Sequence, residues 1–282
     1  MAEDSFSTFA TDNGNGTVRT NISTWADARA NGVSASTLIV HAAVTNPALA
    51  TVETRPGVMR PAVDFGRYRA GTTDVDDGTT SAFLMNKRFT GVKEVFTVHA
   101  DKQAGGPFLF CDSNNYAYHR DSTRLLSQRN SAIAKDPDLI VKVNNEDASY
   151  STALSASTFY VVNFSSATNA EISQMSMDRR NNSYRCGGMY CCSQLAFTNQ
   201  LSAAYRDFVN RTLMYRWFAE GEKPTYHISS LGSVSIAAGS VLSLEAVEDD
   251  LLAGDYVFTL DSLSGAGRFV PDCDVSFSDG AT

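Results

Sequence analysis

No run of about 18 consecutive apolar residues occurs in the chain, so no segment reads as a membrane-spanning helix. Basic residues are outnumbered, 23 against 31 acidic ones, and they are scattered, which argues against a nucleic-acid groove. The resulting charge of −8 favours solubility and says little about partners. Histidine is scarce: His41, His99, His119 and His227 are far apart in sequence. There is no Cys-x-x-Cys pair either, so no zinc-type ligand spacing is spelled out. No Gly-x-Ser-x-Gly elbow is present to carry a hydrolase nucleophile. The opening residues, Met-Ala-Glu-Asp-Ser-Phe-Ser, lack the basic-then-apolar order of a signal segment. Helical periodicity is nearly absent as well, and this directs attention to strands.

Short β-branched and aromatic runs recur along the chain, separated by Gly, Asn, Asp and Pro turns. Val18 to Trp25 and Leu38-Ile-Val40 read as strands. Val63 and Phe65 alternate with Asp64 as a half-buried strand requires. Val92 to Ala100 is the clearest strand by propensity, and Pro107 to Cys111 another. Leu139 to Val143, Asn144-Asn145 and Glu146 onward read as a hairpin, since Asn tolerates the positive φ of such turns. Phe159 to Phe164 and Ile172 to Met177 are expected to be two further strands. Trp25 is expected to be a core anchor rather than an exposed platform.

One stretch has helical spacing. Tyr205, Phe208, Val209, Leu213 and Trp217 fall on one stripe, with Arg206, Asn210 and Arg211 off it. Ser202 stands where an N-cap belongs, and Glu220-Gly221-Glu222-Lys223-Pro224 is a stop signal. Tyr205, Phe208, Leu213 and Trp217 are therefore expected to be buried structural residues. Strands followed by one late helix predict an all-β, antiparallel β-sandwich over residues 1–222. Residues 223–282 carry short strands and Gly turns without helical period, and are expected to form a small additional β-rich segment.

Five cysteines leave at least one unpaired: Cys111, Cys186, Cys191, Cys192 and Cys273. A hairpin at Gly187-Gly188 would bring Cys186 beside Cys191 or Cys192. Small buried thiols are the simpler reading of Cys111 and of one of the vicinal pair.

Met189 to Trp217 resembles the closing segment of concanavalin A-like (laminin-G-like) domains of large secreted bacterial proteins. The matching pieces are a strand ending in Phe197, Leu201-Ser202, and Met214 to Trp217 at the end of a helix. Ser193, Tyr205 and Arg216 stand where that family often has Glu, Glu and Lys. Upstream, Gly16 to Gly32 with Val18, Trp25 and Asp27, then Arg60 to Gly66, Phe108 to Asp112 and Tyr118-His119-Arg120 follow the family's order, with Cys111 in place of Gly. The resemblance implies a concanavalin A-like jelly roll, secretion or cell-surface display with the signal segment removed, and membership of a larger multidomain chain. The segment after Pro224 is similar to β-rich parts of autotransporter passengers and other β-solenoid proteins.

Glucanases of this fold carry Glu-x-Asp-x-x-Glu on one strand, placing two carboxylates on one face. That motif is absent; Glu94 is followed by Phe96 and His99 at the corresponding positions. The candidate ligand-binding residues are Tyr116, Tyr118, His119, Arg120, Tyr184 and Arg180, because aromatic faces stack on sugar rings and Arg holds hydroxyls. Their plainer reading is a core set of Tyr with Arg120 at the rim. Asp74, Asp76 and Asp77 resemble part of a calcium loop but lack its closing Glu; a solvated turn is the plainer reading, and no cofactor is expected. The functional expectation is a non-catalytic recognition or adhesion module, carbohydrate-binding, with a glycan or surface protein as partner and neither nucleic acid nor membrane. A glycoside hydrolase and a structural spacer are the alternatives.

Overall fold

The computed structural model describes residues 6–12, 18–26, 37–40, 45–68, 80–103, 109–112, 117–118, 120, 124–129, 131–178, 182–228, 233–238, 241–245, 255–260, 262–266, 268–272 and 274–277. The chain divides into two compact units, 1–202 and 203–282. No helix among the described residues is long and apolar enough to cross a membrane.

The first unit begins with β1 (Phe6–Asp12), β2 (Val18–Ala26), β3 (Thr37–Val40), β4 (Ala48–Arg55) and β5 (Val58–Asp64). The long β6 (Phe83–Asp101) follows, then β7 (Phe110–Cys111), β8 (Ile140–Val143) and β9 (Glu146–Ala148). It continues with β10 (Tyr160–Met175), β11 (Met177–Asp178), β12 (Asn182–Cys186) and β13 (Met189–Phe197). The main sheet runs β1-β2-β4-β5-β13-β6-β10-β8-β9, with β3 bridging β2 and β6 and β7 added to β10. All of these strand pairs are antiparallel. β2 and β6 are thus joined twice, through β4-β5-β13 and through β3, and the sheet curls back on itself. The curl gives the expected all-β antiparallel sandwich, and its inside is filled by aromatics. There Trp25 and Phe65 each meet Phe83 edge-on, with ring centroids 6.3 and 5.6 Å apart. Trp25 is buried, as a core anchor should be.

Propensity and turn chemistry explain most of these elements. The β8–β9 hairpin turns at Asn144 and Asn145, both at positive φ, and the Asn144 side chain accepts a hydrogen bond from the Val161 amide at 2.9 Å. The two strands expected over 159–177 are one: β10 is continuous to Met175, with register shifts between Ser165 and Gln174 that absorb the polar Ser-Ser-Ala-Thr-Asn segment. Gly187 and Gly188 do not close a hairpin. β12 pairs with β11, whereas β13 pairs with β5 and β6. Cys111, Cys186, Cys191 and Cys192 are buried and form no disulfide with one another, and Cys273 lies outside the described residues.

The second unit opens with α1 (Ala203–Phe218). Phe208, Val209, Leu213 and Trp217 are buried as their stripe predicts, while Tyr205 is only half-buried and stacks on Phe208 at 5.8 Å. Arg206 and Asn210, expected off the stripe, are buried too; the Asn210 amide donates to the Arg206 carbonyl at 3.1 Å, which removes part of its burial cost. The helix ends with Ala219 at φ 55°, its amide bonded to the Tyr215 carbonyl, a left-handed cap usually given to Gly.

Beyond it lie β14 (Thr225–Ile228), β15 (Ser233–Ile236), β16 (Val241–Glu245), β17 (Asp255–Leu260), β18 (Ser262–Gly265), β19 (Arg268–Asp272) and β20 (Asp274–Phe277). Here every pairing is parallel: β14-β17-β20, β15-β18 and β16-β19. Three successive strands recur in the same order, each beside its counterpart. That is the strand pattern of a coiled solenoid rather than of a sandwich.

Gly188 has φ +88° and sits where an added Cβ would meet the Tyr68 Cβ at 2.3 Å; Gly91 has φ +71° and open space. Gly188→Ala is expected to cost about 3–5 kcal/mol and Gly91→Ala only about 1–2 kcal/mol in denaturant unfolding. Equal losses would show that φ alone matters and that the close approach of 66–68 does not.

Candidate functional site

β6 is the strand around which polar side chains gather. From Glu94 to Asp101 it is buried on both faces. On one face Glu94 accepts hydrogen bonds from Asn163 Nδ2 and Ser165 Oγ, both at 3.1 Å, and from the Leu201 amide at 2.7 Å. Its oxygens are thereby committed to joining β6, β10 and the residues before α1, and the strand-borne acid works as a structural acceptor.

The other face carries Thr97, His99 and Asp101, with Cys191 directly opposite His99 on β13. Arg120 reaches over this face and donates from Nη1 and Nη2 to the two Asp101 oxygens at 2.8 and 2.9 Å, and from Nε to the Arg124 carbonyl at 3.2 Å. Both partners are buried, so the pair has the bidentate geometry that a desolvated ion pair needs. Tyr118 is buried beside it, its ring 5.8 Å from Phe110 and 5.9 Å from Phe164. Burial, reinforced by the Glu94 charge, holds its phenol well above the ordinary range.

These contacts place two of the six residues nominated for ligand binding in the core. Tyr118 and Arg120 are 1% and 2% exposed and present no face to a ligand. Arg120 is turned inward, where Asp101 supplies its guanidinium with a full partner. Tyr116, His119 and Arg180 lie outside the described residues, as do Asp74, Asp76 and Asp77; Tyr184 belongs to β12, with its side chain outside the described part. Among the described residues no group of three or more His, Cys, Asp or Glu side chains is arranged to hold a metal ion.

His99 and Cys191 share a face with Asp101, and burial favours the neutral form of both. Burial pushes the Cys191 thiol up to about 12 and raises Cys192 as well. Burial also lowers His99 to about 4, against a smaller opposing pull from Asp101 and with Arg120 adding to the fall. Its Nε2 lies 3.9 Å from Asp101 Oδ1 and makes no hydrogen bond.

A concave feature of the first unit lies elsewhere, beside the β8–β9 hairpin and the 3-10 turn Ile133–Lys135. It has a volume of ≈ 380 Å³, within the range of small-ligand pockets. Gln128, Lys135, Asp136, Val141, Ser149 and Tyr150 are among its lining residues. The walls are pinned by backbone and side-chain bonds. Ser131 Oγ accepts the Ala134 amide at 3.2 Å, and the Tyr150 carbonyl accepts the Leu126 amide at 3.0 Å. Asp136 accepts from Ser166 Oγ and from the Thr168 amide, and the Ser166 bond, chiefly, holds its carboxyl below the usual range. Gln128 and Lys135 are exposed, and no hydrogen bond or ion pair of their side chains occurs among the described residues. No local signal marks this pocket in the sequence; the Asp136-Pro137 step reads as an ordinary turn.

No family model, curated protein or solved structure matches the chain.

Two measurements check the core assignment. Arg120→Met is expected to cost about 3–5 kcal/mol, since it strands the buried Asp101 carboxylate; an unchanged melting temperature would return Arg120 to the surface. His99 binds its proton more weakly folded than unfolded. Its contribution is therefore intact above the unfolded value of 6.5 and falls by up to about 3 kcal/mol as pH drops to about 4. His99→Gln should flatten that part of the pH–stability curve, and an unaltered slope would contradict a neutral buried imidazole.

Proposed function

We propose that this protein is a non-catalytic recognition or adhesion module of a secreted or cell-surface protein, of the concanavalin A-like kind, and that it engages carbohydrate. The observation that supports this is the pocket beside the β8–β9 hairpin. It combines a half-buried aromatic, Tyr150, with two exposed polar side chains, Gln128 and Lys135, that make no hydrogen bond or ion pair among the described residues. A sugar ring offers one apolar face and an edge of hydroxyls. An aromatic wall and free amide or ammonium donors answer both parts. The mixed lining suits such a ligand better than a purely apolar one.

The same reading accounts for the fate of the interior polar groups. Glu94, Asp101 and Arg120 are saturated by protein partners, and the strand that would carry a glucanase dyad spends its acid on holding β10 and residue 201. Recognition at a rigid rim needs no titrating group in the core.

Screening against plant, host and bacterial glycans, followed by titration of any hit, tests the proposal. Tyr150→Ala is expected to weaken a hit roughly tenfold, while Tyr150→Phe keeps most of the affinity, because stacking and not the hydroxyl carries the contact. Absence of any glycan hit favours a structural spacer. Release of reducing ends from β-glucans overturns the non-catalytic part.

A further inference from the structure

The β1–β2 hairpin stands apart from the rest of the first unit in its exposure. Ser7 to Asp12 are exposed at every position, so both faces of β1 meet solvent. Phe9 is 46% exposed and Val18, at the far end of β2, 66%. β2 gains its other strand neighbours only from Asn21 onward, at β4, and from Thr24, at β3, and before them Arg19 Nη2 donates to the Asn46 carbonyl at 3.0 Å. Residues 8–12 and 18–20 therefore form a two-stranded arm, and no described strand pairs with the outer edge of β1.

A two-stranded ribbon is marginal by itself; three or more strands are needed for independent stability. Natural edge strands are also usually protected by Lys, Pro or inward charge. β1, Phe-Ser-Thr-Phe-Ala-Thr-Asp, has no Pro and no basic residue, and its one acid is at the end. Its order is compatible with itself in reverse. An antiparallel two-fold centred on Phe9 sets Phe9 opposite Phe9, Thr8 opposite Ala10 and Ser7 opposite Thr11. Each Asp12 then faces the Phe6 end, far from the other Asp12. Aromatic pairs and hydroxyl pairs are the favourable cross-strand combinations, and the like charges are kept apart.

We infer that β1 is a homotypic docking edge: two copies of this chain pair their β1 strands antiparallel about Phe9, making one four-stranded ribbon from two marginal arms. The two-fold closes the contact, so it yields a dimer and not a filament. A single pair of short strands buries less than the area of a standard stable interface, so the dimer is weak and concentration-dependent. This inference is independent of the glycan pocket, which lies on other strands.

Sedimentation equilibrium of the whole chain, from about 10 μM to about 1 mM, tests it. The wild type is expected to shift from monomer to dimer across that range. Phe9→Lys and Phe9→Glu place like charges opposite each other and should each weaken dimerisation at least roughly tenfold. Mixed in equal amounts, the two variants should recover association close to that of the wild type, because Lys then faces Glu at the dyad. Phe9 is surface-exposed, so both variants keep the wild-type melting temperature. A wild type that stays monomeric throughout, leaving the edge for a foreign strand, overturns the inference. So does a Phe9→Lys dimer of undiminished strength, or a mixture that fails to recover.

Discussion

A central strand buried on both faces has to satisfy every polar group it carries, and β6 carries several. Glu94 on one face and Asp101 on the other are both removed from water. An unpaired carboxylate in such a place costs about 3–5 kcal/mol, so each recruits donors from other parts of the chain. Glu94 draws Asn163, Ser165 and the Leu201 amide to it; Asp101 draws Arg120. Those donors lie on β10, on the residues that precede α1 and in the segment that crosses over β6. The demand for satisfaction thus fixes how four stretches of chain are assembled, with more specificity than the surrounding Val and Phe contacts provide. His99, beside Asp101 and without a partner for Nε2, shows the cost of leaving one such demand unmet: it stays neutral.

Legibility in the sequence follows the range of the interaction. Elements governed by neighbours a few residues apart were readable: the Asn144-Asn145 turn, the β-branched run of β6, and the helix stripe of Phe208, Leu213 and Trp217. Trp25 followed from its size. Where the deciding partner is remote, the sequence misleads. Tyr118-His119-Arg120 has the composition of a binding surface, and only the bidentate contact with Asp101 turns Arg120 inward. Arg206 and Asn210 likewise read as solvent-facing, yet both are buried in the folded helix. Polarity predicts exposure well only until a buried partner exists.

The second unit makes the same point about strands. A short run such as Tyr256 to Leu260 has the same pattern whether its neighbour runs parallel or antiparallel. Direction is set by what lies between the partners, and Thr225 meets Asp255 only after β15 and β16 have been laid down. The parallel order is therefore a property of the repeat and not of any single strand. The pocket beside the β8–β9 hairpin is hidden from sequence for a related reason. Its walls come from a 3-10 turn and a hairpin that touch because Asp136 binds Ser166 and Thr168 on β10, outside both.

These constraints divide the labour between interior and rim. Groups with chemical potential in the core are neutralised by burial, as with Cys191 and His99, or saturated, as with Glu94 and Arg120. A change of charge there would break the packing that depends on it. Gln128 and Lys135, exposed and without a side-chain hydrogen bond or ion pair among the described residues, sit at the surface on walls held by backbone bonds. Rigid walls lose little entropy when a ligand is held, so a shallow site can select among ligands without moving parts. In the described part of the first unit the interior acids and thiols are thus tied to packing, and the side chains that stay open to water are those of the rim.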